Sequence, residues 1–293
     1  MIIRNETDGS AVYKKGDVLM PSLKARVLTA IIGVPIIILI LLAPVYVITG
    51  VVMVASCIGL YEYYRAVGLM KHKGLCFMGY LAAIVISMGT IYPASISLVL
   101  VYIYVVALFV MMLSGRGKIT LKDLGLLVFG LIYIPYFLSH ICYIRSMENG
   151  NFYIWLVFLG AFLTDSCAYF AGCCLGRHKL CPKISPKKTV EGAIGGTLGG
   201  GLSFVLFGVI VNIFFGKYLG GQLNLWLLFL LGLIVAVASQ IGDLAASAIK
   251  RQFEIKDFGS CLPGHGGILD RCDSIILVAP IIFLFLYNIN IMM

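Results

Sequence analysis

Charge is what this sequence has least of. Only 12% of its 293 residues are Asp, Glu, Lys or Arg and 61% are hydrophobic, whereas about a quarter of a soluble globular domain is charged. That shortage excludes a soluble globular domain. Acids are scarcer than bases, 13 against 22, and the formal net charge is +9. The nine cysteines lack CxxC or paired-finger spacing, and most lie inside apolar runs. They read as small buried apolar residues, not as a disulfide framework or a zinc site. No GxxxxGK[ST] loop occurs, which excludes a P-loop nucleotide site. No Ser-His-Asp arrangement is evident. Strict apolar/polar alternation is missing as well, which argues against a β-barrel.

What the sequence does have is long apolar runs. Several reach the roughly 18–20 residues needed to cross about 30 Å of hydrocarbon, so the expectation is an all-α polytopic membrane protein. Nine spans are placed near residues 27–43, 45–62, 75–92, 95–113, 124–144, 152–175, 190–215, 223–249 and 268–289. They divide the chain into a polar basic cytoplasmic arm (1–26, without a signal-peptide cleavage pattern), N-terminal transmembrane helices (27–144) and a C-terminal transmembrane catalytic region (152–293). The catalytic region carries cytoplasmic loops at 176–189 and 250–267. Twenty Lys and Arg fall on one side of these spans, and only Arg145 and Lys217 on the other. The bias predicts a cytoplasmic N-terminus and an extracytoplasmic C-terminus in the cell membrane. The concentrated positive charge there suits anionic headgroups and polyphosphates. No nucleic-acid partner is expected.

Intramembrane acids are few, so each carries weight. Glu62 ends the second span among Tyr61, Tyr63 and Tyr64 and reads as interfacial. Asp165 lies inside the sixth span, where a carboxylate needs a partner. In the following loop Ser185, Lys187, Lys188 and Thr189 precede a helix start with Glu191 in its first turn. Lysines beside a helix N-terminus make an anion site, and Thr189 is the expected cap. The Gly run from Gly192 to Gly201 reads as small-residue helix packing. In the eighth span Asp243, Ser247 and Lys250 or Arg251 share one helical stripe. Leu262 to Gly267 is too Gly-rich for helix and brings backbone N–H groups close to an anion. Asp270 and Asp273 then share a face, with Arg271 between them. Carboxylates and cations at one membrane mouth suit Mg²⁺ and phosphate together, because Mg²⁺ is held by one or two carboxylates while phosphates complete its shell. His265 reads equally as a phosphate donor and as a loop-ordering residue.

The run Ser247-x-x-Lys250-Arg251-x4-Lys256-Asp257-x-Gly259-x2-Leu262-Pro263-x-His265-Gly266-Gly267-x-Leu269-Asp270-Arg271-x-Asp273 resembles the signature of the phosphatidate cytidylyltransferase (CDP-diacylglycerol synthase) family. The likeness extends to Asp165, to Ser185 through Gly192 and to Gly242-Asp243. The N-terminal half is similar only in hydropathy. The resemblance implies an integral membrane enzyme, described as a dimer, that makes CDP-diacylglycerol and pyrophosphate from CTP and phosphatidic acid with Mg²⁺. It makes Asp243 and Asp270 the leading metal ligands, for one Mg²⁺ or bridging a two-cation site. Asp165 and Asp273 would support that site or bind substrate. Lys187, Lys188 and Ser185 would face phosphates. The remaining cations, Lys250, Arg251, Lys256 and Arg271, with Ser247 and His265, complete the expected site. Two rivals stay open: a CTP-dependent enzyme acting on another lipid (an ether or isoprenoid phosphate, or a polyprenol), and an ion-coupled transporter. The absence of a second copy of the Ser247–Asp273 pattern weighs against the transporter.

Overall fold

The computed structural model describes residues 23–91, 94–115, 118–259 and 266–293. The first 22 residues of the arm, residues 260–265 of the second loop and therefore His265 lie outside the described residues.

The chain is built from helices α1 (Leu23–Leu42), α2 (Val45–Ala66), α3 (Lys73–Ser87), α4 (Ala94–Ser114), α5 (Leu121–Leu131), α6 (Phe137–Ser146), α7 (Gly150–Leu175), α8 (Val190–Leu219), α9 (Leu225–Gln252) and α10 (Leu269–Asn288). α5 and α6 form one rod, joined through a π-helical turn at Ile132–Tyr136. Pro135 inside that turn has no amide to donate, so the ladder widens there instead of breaking. Every expected span coincides with a helix. Among the described residues, five helices are long and apolar enough to cross a membrane by length and composition: Val45–Ala66, Leu121–Ser146, Gly150–Leu175, Val190–Leu219 and Leu225–Gln252. α3 has 15 residues, about 22 Å at the helical rise, which is shorter than the roughly 30 Å hydrocarbon core.

The loop at 176–189 departs from the all-helical expectation. It folds into an antiparallel pair, β1 (Lys179–Cys181) and β2 (Ser185–Thr189). The other expected loop begins later than residue 250, because α9 continues to Gln252.

The bundle packs through small residues. A Cβ at Gly196 would stand 2.7 Å from the Ala168 Cβ, and one at Gly200 would stand 2.6 Å from the Ala236 Cβ. The Gly run of α8 therefore lets α7 and α9 approach it backbone to backbone, the packing expected where no hydrophobic force drives helices together. Gln240 adds interhelical glue, donating from α9 to the Ala193 carbonyl (3.2 Å) and the Thr197 hydroxyl (3.1 Å) of α8.

Contacts between helix termini sort the ends into two groups. At one end Arg65 at the foot of α2 donates to the Phe258 carbonyl (3.0 Å), Lys71 pairs with Asp123 at the start of α5 (3.5 Å), and Arg251 donates to the Ile184 carbonyl of the hairpin (3.4 Å). At the other end Arg145 donates to the Ala43 carbonyl (3.0 Å), and Asn212 exchanges two hydrogen bonds with the backbone of Leu223. The basic residues crowd the first group of ends.

Candidate functional site

The ends of α7 and α9 and the starts of α8 and α10 meet at the basic end, and local sequence explains how. Thr189 caps α8, its hydroxyl accepting the Gly192 N–H at 3.1 Å. One residue into the helix, Glu191 reaches back to accept the N–H groups of Arg177 (3.0 Å) and His178 (3.2 Å), fixing the turn that leads out of α7. The hairpin is thereby anchored at both of its ends. On β2, neighbouring side chains point to opposite faces. Lys188 faces the bundle and its ammonium pairs with Asp243 of α9 at 2.5 Å, whereas Lys187 is exposed. The Lys188 Nζ is buried and has no hydrogen-bond partner beyond that ion pair. Ser185 is half-buried on the same strand.

Asp165 lies about 15 Å along α7 from its end at Leu175. Its carboxylate accepts the Ser274 hydroxyl of α10 at 3.2 Å. Ser274 also donates its backbone N–H to Asp273 at 2.8 Å, so one residue ties two acids together. Asp165, Asp243 and Asp273 are close enough to feel one another's charge. α9 and α10 can approach this closely because position 242 is glycine: a Cβ there would stand 2.6 Å from the Asp273 carbonyl oxygen.

Asp270, one turn before Ser274, is held differently. Lys250 donates to its Oδ1 at 2.8 Å, and the N–H groups of Phe258 (2.9 Å) and Gly267 (3.0 Å) donate to its Oδ2. Asp270 is 6% exposed, and its carboxylate clamps the loop between α9 and α10 at Phe258 and Gly267. Lys250 also lies 5.6 Å above the Phe258 ring and within electrostatic reach of Asp273. Ser247 sits one turn from Asp243, on the same helical face.

The structure thus gathers Asp165, Asp243, Asp270, Asp273, Lys188 and Lys250, with Ser247 one turn from Asp243; Ser185 lies on the Lys188 strand but on the face that carries Lys187. Arg251 is used to hold the hairpin. Lys187, Lys256 and Arg271 are exposed and enter none of the ion pairs among the described residues.

Three contributors were not legible as such in the sequence. Glu62 reads as interfacial, yet it is 2% exposed and caps α10, accepting the N–H groups of Ile268 (3.1 Å) and Leu269 (2.9 Å). Gly259 and Gly267 line its seat, and a Cβ at either position would overlap the Glu62 carboxylate. Its only sequence signal is a carboxylate ending an apolar span three residues before Arg65. Ser274 follows the recognisable pattern by one residue. Tyr133 comes from the π-helical turn; it is 4% exposed, its hydroxyl has no hydrogen-bond partner, and Asp243 and Asp273 are within electrostatic reach. π-helical turns often mark functional positions, but the turn itself is not visible in the residues.

Among the described residues no group of three or more His, Cys, Asp or Glu side chains is arranged to hold a metal ion by itself. Four carboxylates nevertheless meet only two contacting ammonium groups. With all six groups ionised, two negative charges remain uncompensated. That deficit and the hard oxygen donors fit a divalent cation such as Mg²⁺, which takes one or two carboxylates and fills its shell with water and phosphate oxygens.

Comparison with known proteins identifies the family. The profile of the cytidylyltransferase family matches residues 24–289. The chain is 34% identical over 168 residues to a phosphatidate cytidylyltransferase of Staphylococcus haemolyticus, covering 57% of this chain and 61% of that protein. It is 37% identical over 184 residues to one of Rickettsia bellii (63% and 79%) and 32% identical over 172 residues to one of Bacillus subtilis (58% and 61%). The match thus spans about three fifths of the staphylococcal and Bacillus relatives. A family profile covering nearly the whole chain makes this protein a member of the cytidylyltransferase family.

Proposed function

We propose that this protein is a phosphatidate cytidylyltransferase of phospholipid biosynthesis. A phosphate oxygen of phosphatidate attacks the α-phosphorus of CTP, the bond from that phosphorus to the β-phosphate oxygen breaks, and pyrophosphate leaves with CDP-diacylglycerol as the other product. The observation that carries the reading is the convergence of four carboxylates and two lysines at the basic end of the helices, in a chain whose relatives bear that name.

The phosphate monoester has a second pKa of about 6, so it is largely dianionic at neutral pH and needs little help from a general base. The harder task is to bring one anion to another. Mg²⁺, when bound, would neutralise phosphate charge and stabilise the leaving pyrophosphate. Asp243 would hold it, with Asp165 and Asp273 beside it. Asp270 would join as a ligand once Lys250 turns from Oδ1 to a phosphate oxygen. Lys188 has N–H groups to spare beyond Asp243 and would bind a second phosphate oxygen. Each ammonium thus serves as a stand-in cation before substrate arrives and as a phosphate donor afterwards. Nine crossings, a site facing the cytoplasm, a second bound cation and a homodimer in the plasma membrane belong to the same proposal; the sorting of basic helix ends supports its orientation. CTP would then enter from water while the lipid arrives between helices.

The test is to incubate the purified chain in detergent with labelled CTP and phosphatidate, with and without Mg²⁺. Mg²⁺-dependent formation of a labelled liponucleotide and pyrophosphate is expected. Turnover of an ether-lipid phosphate or a polyprenol, with none of phosphatidate, would overturn the substrate assignment.

A further inference from the structure

At the opposite end of the helices lies a cavity of about 470 Å³, lined by Leu41, Arg145, Trp155, Phe207, Ile210 and Phe215 among others. That size falls within the roughly 300–1,000 Å³ of ligand pockets. It is not part of the site described above: Asn151, which also lines it, and Asp165 are about 21 Å apart along α7. Apart from Asn151 its walls are apolar and aromatic, with a single cation. Arg145 donates one hydrogen bond, to the Ala43 carbonyl, and forms no ion pair among the described residues. Its Nε is buried and has no hydrogen-bond partner. A guanidinium offers five N–H donors in a planar fork that matches phosphate oxygens. A guanidinium at a membrane boundary with no ion-pair partner is costly unless something completes it.

We propose that this cavity binds an anionic glycerophospholipid of the leaflet opposite the candidate active site, its phosphate on Arg145 and an acyl chain along Trp155, Phe207 and Ile210. Apolar walls without a cation would take any lipid tail. The unpaired guanidinium selects for a headgroup with no ammonium of its own to compensate the phosphate. The proposal does not rest on the reaction assigned above, because it uses none of that site's residues.

Native mass spectrometry of the purified full chain, titrated with phosphatidylglycerol or phosphatidylcholine, tests it. Phosphatidylglycerol should bind about tenfold more tightly, the scale of one charge-assisted hydrogen-bond pair. Arg145→Gln should abolish that preference, and Arg145→Lys should keep part of it. Ile210→Trp, at a half-exposed lining position, should block both lipids with Arg145 intact, so the test survives if Arg145→Gln does not fold. Thermal melting of each variant checks folding. Equal binding of the two lipids by the unmodified chain would overturn the proposal, as would an undiminished preference in folded Arg145→Gln. Displacement of the lipid by millimolar inorganic phosphate alone would mark a free-phosphate site and overturn it as well.

Discussion

Glu62→Ala is the substitution whose cost can be worked furthest from the structure. The carboxylate accepts two N–H groups, those of Ile268 and Leu269, at the start of α10. Truncation leaves both without a partner in a seat closed by Gly259 and Gly267. Each buried orphan donor costs about 1–3 kcal/mol, and loss of a carboxylate at a helix N-terminus costs about 0.3–1 kcal/mol more. The first turn of α10 should therefore open more easily by at least about 2 kcal/mol, or roughly 30-fold in the opening equilibrium. That turn carries Asp270 and leads to Asp273, and a displacement of about 1 Å at a reacting centre costs roughly a hundredfold in rate. Hydrogen exchange of the purified protein reads the first effect at the amides of 268 and 269, and liponucleotide synthesis reads the second. Glu62→Gln, which keeps one acceptor oxygen, should fall between. Unchanged exchange at those amides in Glu62→Ala, together with near-normal turnover, would refute the cap and its bearing on the site.

Asp243→Asn should reduce Mg²⁺-dependent pyrophosphate release at least about a hundredfold, the scale of losing one electrostatic stabiliser. Asp270→Asn should be as inactive but also less stable, because Asp270 clamps Phe258 and Gly267 by their amides; near-normal turnover in either variant would count against the metal assignment. The two strand lysines should separate. Lys188→Ala should raise the KM for CTP or phosphatidate about tenfold or more by the loss of a charge-assisted bond, while Lys187→Ala, exposed on the other face, should change it about threefold or less by the scale of exposed charges, as steady-state kinetics would reveal. Tyr133→Phe removes only a hydroxyl that lacks a partner. It should leave the melting temperature unchanged and lower kcat about tenfold if that hydroxyl meets substrate or metal-bound water near Asp243, on the scale of one hydrogen bond to a charged group; an unchanged kcat would remove Tyr133 from the site.

Much of the candidate site was legible because its residues violate their surroundings. Asp165, Asp243, Asp270 and Asp273 stand out in an apolar chain, and a carboxylate in hydrocarbon is expensive enough to require a reason. Thr189 and the Gly run were legible for a different cause: capping and small-residue packing are local, and both occur where the spacing put them. Lys187 and Lys188 were not separable, since adjacent basic residues look alike until a strand sends them to opposite faces. That strand was itself unforeseen. Five residues reading SPKKT carry no apolar alternation, and they are held extended by pairing with β1 and by the Glu191 and Thr189 anchors.

By itself, the sequence determined the helical class and where the apolar helices lie, and it singled out the acids that the fold brings together. Each follows from composition within a window or from spacing along a single helix. Only the tertiary structure decided that Glu62 of α2 caps α10, that Ser274 joins Asp165 to Asp273, that Lys188 rather than Lys187 meets Asp243, and that Lys250 occupies Asp270. These pairings join residues up to about 200 positions apart. They depend on how the helices are turned about their own axes, which is set by packing against neighbours rather than by any local pattern.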